Sequence, residues 1–386
     1  MKTVLNILFL SMWLATQSAS AQSDSFVIEG NDGSKIKASP LAVFDSAWAM
    51  TFLPDARALV SEKSGDIWLL SKRGEKIAKV SQSPNVTPRG QGGMGDIILA
   101  DDFTSSGRVY LSYVERDVKD DSLSGAVVER AKLTLSQDSA SLSDRTVVWT
   151  QSPKVTGNGH YSHRLAISPD GYLFITSGDR QKFNPAQNMA MNLGKVIRLN
   201  LDGSIPSDNP FVGSGGVASE VWSLGHRNPL GIAFDQQGNL WTHEMGPRHG
   251  DELNRIMRAT NYGYPFVSEG EHYNGTTIPS HASMPIFQAP DLAWVPAISP
   301  AGLIIYQGEQ FADWQGHAFI GGLSSQALIR VDLGENAQGA DKKPKEAARY
   351  EWGKRVREIE QGPEGAIYVL EDATGGRLLK LEAMKQ

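Results

Sequence analysis

The chain contains no cysteine. That absence removes disulfide staples, thiolate nucleophiles and cysteine-ligated metals or clusters at once. An excess of one charge is also lacking: 37 Lys and Arg stand against 43 Asp and Glu, a net charge of -6. No basic stripe with interleaved aromatics occurs, which argues against a nucleic-acid partner. No basic amphipathic helix occurs either, which argues against binding to a membrane surface. Beyond the N-terminus no apolar run is long enough to span a bilayer. The sequence has no GxSxG elbow, no Walker A loop, and no GxGxxG between a strand and a helix. Redox chemistry would therefore have to come from a cofactor bound in some other way.

The N-terminus reads as an export signal. Lys2 supplies a positive start, Val4 to Leu14 is largely apolar, and Ala19-Ser20-Ala21 is a small-x-small cleavage site. Residues 1–21 are expected to be removed, leaving a mature chain that starts at Gln22. Export without cysteine suits a bacterial periplasm, or secretion, better than a disulfide-stapled module.

Helical periodicity is scarce and short β-rich runs bounded by Gly, Pro, Asp and Asn dominate. Examples are Asp66-Ile-Trp-Leu-Leu70, Arg108-Val-Tyr-Leu-Ser-Tyr113 and Tyr172-Leu-Phe-Ile-Thr176. One phrase recurs: an apolar lead-in, a turn, then a strand with an aromatic. It appears as LAISPDGYLFITSGD (165–179), GIAFDQQGNLWTHEMG (231–246) and EIEQGPEGAIYVLED (358–372), and more loosely at 50–70. A second phrase closes several units, as GKVIRLNLDG (194–203), SQALIRVDLG (325–334) and GRLLKLE (376–382). A repeat somewhat above the size of a four-stranded blade predicts an all-β propeller rather than a sandwich. The length suggests about six antiparallel four-stranded blades, forming one domain over residues 22–386. Inserts at 181–192, 202–217 and 248–277 are expected to gather on one face and build the site there, and the insert at 336–348, rich in Lys, Glu, Ala and Gly, is expected to be a solvated outer loop.

Several loop residues could carry chemistry. His160, on a Gly-flanked loop entering a strand, is placed for proton transfer near neutral pH, although a structural histidine fits the same context. Arg227 and Asn228 in GHRNP offer donors suited to carboxylates. Arg355 and Arg357 alternate on a strand and so share a face, which is best tolerated beside an anion or in water. Glu244, Asp251 and Glu252 are hard oxygen donors, and the carbonyls near Gly246, Pro247 and Tyr262 could add more. Oxygen donors without cysteine favour calcium over transition metals, although ordinary turn chemistry explains the same acids.

Together these segments resemble the soluble quinoprotein glucose and sorbosone dehydrogenase family, nearest to its periplasmic aldose sugar dehydrogenases. The matching motifs are GQGGMGDI (90–97), HYSHRLAISPDGYLFITSGDR (160–180), EVWSLGHRNPLGIAF (220–234), HEMGPRHGDELN (243–254), NYGYP (261–265) and RVREIEQGPEGAIYVLED (355–372). The resemblance implies a six-bladed propeller that carries pyrroloquinoline quinone (PQQ) on its top face and oxidises aldoses to lactones, passing electrons to an unidentified acceptor. It assigns His160 as the general base and Arg227 as the group facing charge that develops on the cofactor. It implies cofactor contacts from Gln91, Asn228, Tyr273, Arg355 and Arg357. The carbonyls of Gly246 and Pro247 match ligands of a catalytic calcium, and Glu252 with the carbonyl of Tyr262 matches a structural calcium site.

Three departures stand out. His163 precedes Arg164 where relatives have glycine, and is expected to add bulk beside the base. Ser324 occupies the place of a cofactor-binding Lys in some relatives, and Ala297 and Ala301 replace hydroxyl residues. These departures leave a second reading open, a propeller that has lost oxidation and binds a carbohydrate or protein partner.

Overall fold

A computed structural model describes residues 24–334 and 343–384. The expected export signal lies outside the described residues. Six antiparallel sheets follow one another along the chain. Blade 1 is Ala47–Phe52, Ala58–Glu62, Ile67–Leu70 and Lys76–Lys79, and blade 2 is Met94–Leu99, Arg108–Arg116, Ser124–Leu135 and Ala140–Thr150. Blade 3 is Ser162–Ile167, Tyr172–Ser177, Lys195–Asn200 and Val221–Leu224. Blade 4 is Pro229–Phe234, Leu240–Glu244, Asp251–Ile256 and Leu292–Trp294. Blade 5 is Pro300–Ile305, Ala318–Gly322, Ala327–Asp332 and Lys345–Glu351. Blade 6 takes Val356–Gln361, Ile367–Glu371 and Gly376–Ala383 from the C-terminal end, and Lys35–Phe44 from the N-terminal end.

That last pairing closes the ring. Lys35–Phe44 runs antiparallel to the last strand, from Ile36 opposite Ala383 to Phe44 opposite Gly376. Phe26–Glu29 adds a fifth strand outside it. The six-bladed expectation therefore holds, with one blade wider than four strands. Among the described residues the α-helix is a single turn, Phe103–Ser106.

The first recurring phrase is the hairpin of strands one and two, in blades 1, 3, 4 and 6. The second phrase is the third strand rather than the closing one, since Val221–Leu224 and Lys345–Glu351 follow it in blades 3 and 5. The outer strand is exposed on one side and carries too little apolar pattern to announce itself. Asp251–Ile256, expected inside an insert, is the buried third strand of blade 4, and Lys345–Ala348 belongs to a strand as well. Apolar residues of neighbouring blades interlock, as where Trp241 and Leu253 of blade 4 pack with Ile320 and Ile329 of blade 5.

The centre of the ring is polar. The first strand of each blade faces the axis, and Arg164 of blade 3 spans it. Its guanidinium lies 2.6 Å from Glu358 of blade 6 and 3.6 Å from Asp96 of blade 2. Its Nε donates to the Leu230 carbonyl of blade 4 at 3.0 Å, and it sits 4.0 Å above the ring of Trp48 of blade 1. Burial pushes the Glu358 carboxyl up to about 8, and burial with nearby carboxylates pushes Glu360 well above its ordinary value.

Two predictions follow from this frame. Replacing Arg164 by Met strands buried carboxylates without their cation and should cost about 3–5 kcal/mol in denaturant unfolding. Ala56 turns the first hairpin of blade 1 at φ 67, where the equivalent turns of blades 3, 4 and 6 use Gly171, Gly238 and Gly365. Ala56→Gly should therefore raise stability by about 0.5–1 kcal/mol, read as a higher unfolding midpoint.

Candidate active site

In an antiparallel blade, the segment entering strand one and the segment leaving strand two lie at the same end. The residues considered below for chemistry come from those two segment types, from the third strand of blade 4 (Asp251–Ile256), or from the long connection 257–291 in blade 4. The insert 202–217 joins strands three and four of blade 3, which places it at the opposite end. The expectation that the three inserts gather on one face is thus corrected: 181–192 and part of 248–277 reach the site, and 202–217 does not.

Two cavities adjoin at this end. The first, about 390 Å³, is lined by Trp48, Lys63, Gln91, Asn228, Arg355, Arg357 and Asp372 among others. The second, about 540 Å³, is lined by His160, Phe183, Arg227, Pro247, Tyr264 and Tyr273 among others. They are joined at the residue pair Arg227 and Asn228, and where the Gln91 Oε1 accepts the His160 backbone N–H at 2.7 Å.

His160 is 5% exposed and held in the left-handed region at φ 50. Its Nδ1 lies 2.6 Å from Asp179 Oδ1, which fixes the proton on Nδ1 and leaves Nε2 as the acceptor. Burial lowers its pKa most; Asp179 opposes that shift, and Arg227 and Arg180 add to it. Asp179 also accepts the backbone N–H groups of Gln181 at 2.9 Å and Phe183 at 3.1 Å, so one carboxylate orders the base and the following loop. Buried Arg180 ties down the chain before the base through the carbonyls of Gly157 and Gly159.

Arg227 donates from Nη1 to the Met245 carbonyl at 3.0 Å, and its buried Nε has no partner among the described residues. Asn228 accepts from the Ser162 hydroxyl at 3.1 Å. Arg355 and Arg357 do share a face, and the anion between them is internal: Asp372 Oδ2 lies 2.7 Å from one and 3.0 Å from the other. The Arg357 Nε is also buried, without a partner among the described residues. Tyr273 is 73% exposed on the rim of the second cavity.

The expected acids separate into different tasks. Glu244 takes His226 Nδ1 at 2.9 Å and the Arg227 backbone N–H. Asp251 accepts the backbone N–H groups of Gly246, Ile298 and Ser299 at 2.7–2.8 Å, so it pins loops together. Glu252 is the one left over. It is buried, and among the described residues only the Asn254 amide donates to it, at 3.2 Å. Burial and the neighbouring Glu244, Glu269 and Asp251 carboxylates raise its pKa, opposed by that amide. The Asn254 Oδ1 beside it is buried and has no partner among the described residues, and the Tyr262 carbonyl receives His281 Nε2 at 3.1 Å. Among the described residues no hydrogen bond ends on the carbonyls of Gly246 or Pro247.

Two expectations change. His163 does not crowd the base. It turns inward, stacks on Trp48 at 5.0 Å and bonds Ser112 at 2.8 Å through Nδ1, beneath the first cavity. Ser324 is exposed at the rim, 3.4 Å from the Ala297 carbonyl, while Leu323 lines the cavity in its stead. The sequence reading missed Asp179, Asp372 and Lys63. Asp179 and Asp372 end two copies of the recurring phrase, a signal that was available.

A family model described as Glucose / Sorbosone dehydrogenase matches residues 44–380. The chain belongs to the glucose/sorbosone dehydrogenase family. The aldose sugar dehydrogenase YliI of Escherichia coli is 36% identical over 87% of this chain and 90% of its own length. The crystal structure of the soluble aldose sugar dehydrogenase from Escherichia coli in the apo-form superposes with a TM-score of 0.84 at 34% identity, covering 90% of this chain and all (100%) of that one. The PQQ-bound aldose sugar dehydrogenase of Streptomyces coelicolor superposes with a TM-score of 0.69 at 25% identity, covering 89% of this chain and 96% of that one. As a member of this family the chain is an oxidoreductase. No helix among its described residues is long and apolar enough to cross a membrane.

Burial pushes the His163 pKa down to about 3, well below its ordinary 6.5. A group with a depressed folded pKa lets the unfolded chain take up the proton first, so stability is full above about 6.5 and falls as pH drops toward 3. His163→Gln should flatten that loss: the melting temperature should fall less between pH 7 and pH 4.5 than in the wild type.

Proposed function

We propose that this family member is an exported quinoprotein that oxidises aldose sugars at the anomeric carbon to lactones. The observation that carries the reading is the buried His160–Asp179 pair, with Nε2 left free at the wall of a cavity shared with Arg227.

The residues fit the groups this chemistry needs. A cofactor with three carboxylates suits the first cavity, where Arg355 and Arg357 exceed the single charge of Asp372 and a buried Arg357 N–H lacks an acceptor. A hard cation suits Glu252, which is buried near the carboxylates of Glu244, Glu269 and Asp251, with the Asn254 Oδ1 two residues on lacking a partner among the described residues; the Tyr262 carbonyl would join it only by giving up its bond from His281. Gly246 and Pro247 would offer carbonyls to a second, catalytic calcium. When bound, the quinone accepts the hydride and calcium polarises its carbonyl oxygen.

The protein's share of the work is binding, orientation and one proton. His160 Nε2 takes the proton of the anomeric hydroxyl, and Asp179 holds the imidazole in the tautomer that can do so. Arg227 offers its unpaired Nε–H to an oxygen that gains negative charge, and Asn228 beside it fixes the register. Gln91 links the two cavities through the His160 backbone, and Tyr273 covers the outer side of the second one. Electrons then leave to an acceptor that the chain does not identify.

The test is reconstitution. Apo-protein given PQQ and calcium should oxidise an aldose with a dye as acceptor, and absence of turnover with the quinone demonstrably bound would overturn the reading. His160→Gln should lower turnover by about 10²–10⁴-fold with quinone binding retained. The direction of the His160 shift fixes the pH profile: a lowered pKa keeps the base neutral in mild acid. The acid limb of kcat/KM should therefore lie below 6.5, measured on the reconstituted enzyme.

A further inference from the structure

We infer that Lys63 is a cofactor-anchoring cation of this chain, binding a carboxylate of the quinone from blade 1. The inference rests on the quinoprotein reading and extends it to a residue no motif assigns.

The hairpin register locates Lys63. In every blade the turn between strands one and two holds a residue at positive φ: Ala56, Gly107, Gly171, Gly238, Gly316 and Gly365. The seventh residue after each is Lys63, Val114, Gly178, Met245, Leu323 and Asp372 (63 − 56, 114 − 107, 178 − 171, 245 − 238, 323 − 316 and 372 − 365). Those of blades 1, 4, 5 and 6 line the first cavity, and those of blades 2 and 3 do not. Four successive blades therefore present this position to one space, and in blade 1 that place is taken by an ammonium group.

The surroundings of this ammonium leave it available. Its Nζ donates to the Gly90 carbonyl at 2.5 Å, and Gly90 lines the same cavity. An ammonium has three N–H groups, so two remain for a ligand. Among the described residues no carboxylate lies within ion-pair distance of it, whereas the one carboxylate lining this cavity, Asp372, is engaged by both arginines. The backbone around Lys63 is fixed, since its N–H bonds the Ser46 carbonyl at 3.0 Å and its carbonyl receives Met94 at 3.1 Å.

The charge count gives the anchor a purpose. Arg355, Arg357 and Lys63 against Asp372 leave a surplus of two positive charges in the cavity (3 − 1). Without Lys63 the surplus would be one, facing three carboxylates. Ser324, in blade 5, brings no charge and points to the rim. Blade 1 flanks the arginine-bearing blade 6 on its other side, so Lys63 supplies the third cation from the opposite flank. Trp48 from the same blade lies beneath, its ring held by Arg164 and His163.

Calorimetric titration of apo-protein with PQQ in the presence of calcium tests this without turnover. Lys63→Met keeps the stem and removes the charge. Its Kd should rise on the order of tenfold, with the melting temperature of the apo-protein unchanged. Lys63→Arg should stay within about threefold of the wild type, and adding Ser324→Lys to Lys63→Met should recover most of the loss. Wild-type binding with an equal Kd for Lys63→Met overturns the inference and leaves the function standing. So does Lys63→Arg binding as weakly as Lys63→Met, because charge would then not be what matters. Failure of the wild type to bind the quinone strikes the quinoprotein reading itself.

Discussion

One guanidinium sets the geometry on which the site depends. Arg164 reaches carboxylates of blades 2 and 6, a carbonyl of blade 4 and an aromatic ring of blade 1 while belonging to blade 3. Blade 5 joins through Gly302, whose carbonyl accepts His243 Nε2 at 2.8 Å. Glycines at Gly95 and Gly231 leave room for His163 and His243, since a Cβ at either would fall about 2.1 Å from the ring. A buried charge of this kind is a poor source of net stability, because desolvation offsets most of the attraction. Its use is positional: a planar fork satisfies several blades only at one spacing around the axis. The Glu358 contact at 2.6 Å is short but off the ideal hydrogen-bond angle, which marks it as an ion pair first.

Above that axis the antiparallel rule distributes chemistry. Each blade sends two connections to the same end, so the base and its carboxylate come from blade 3, Arg227 from the start of blade 4, and the arginine pair from the start of blade 6. No blade holds a complete reaction site. The floor is shared too, for Trp48 lines the first cavity on one side and meets His163 and Arg164 on the other. The coupling between core and site is therefore direct contact, one ring thick.

The sequence displays what repeats and conceals what does not. The hairpins of blades 1, 3, 4 and 6 share a turn with a strand of fixed length, and that period was readable. Blades 2 and 5 lack the full phrase: Arg108–Arg116 follows a helical turn, and strand two of blade 5 ends in Gly321-Gly322 rather than an acid. Outer strands such as Lys345–Glu351 alternate exposure with no apolar run and read as loops. Residue types with strong chemistry, His160 and the arginines, could be picked out by type and loop context. Their partners could not, because Asp179 and Asp372 look like ordinary turn acids until the fold places them 2.6 Å from an imidazole and between two guanidinium groups. His163 was misplaced for a related reason. It follows His160 by only three residues and so was expected beside it, but with His160, Ser162 and His163 all at positive φ the chain winds between them and His163 turns inward.

The same backbone position in successive hairpins shows how such a site can vary without disturbing its frame. Asp372, Leu323, Met245 and Lys63 differ in size and charge, yet each lies just past a second strand whose hydrogen bonds do not involve its side chain. Substitution there alters what the cavity presents and leaves the ladder intact, whereas the residue one place earlier is committed to structure. Glu62 holds the Asp45 N–H, Glu244 holds His226, and Glu371 holds Arg377 and Trp352. Along each of these hairpins the last strand residue fastens the ring and the next one faces the cavity. Ser324 lies one residue beyond that point, already on the exposed rim. Ser324 brings no charge to the cavity, and among the four cavity-facing positions blade 1 is where this chain carries a cation.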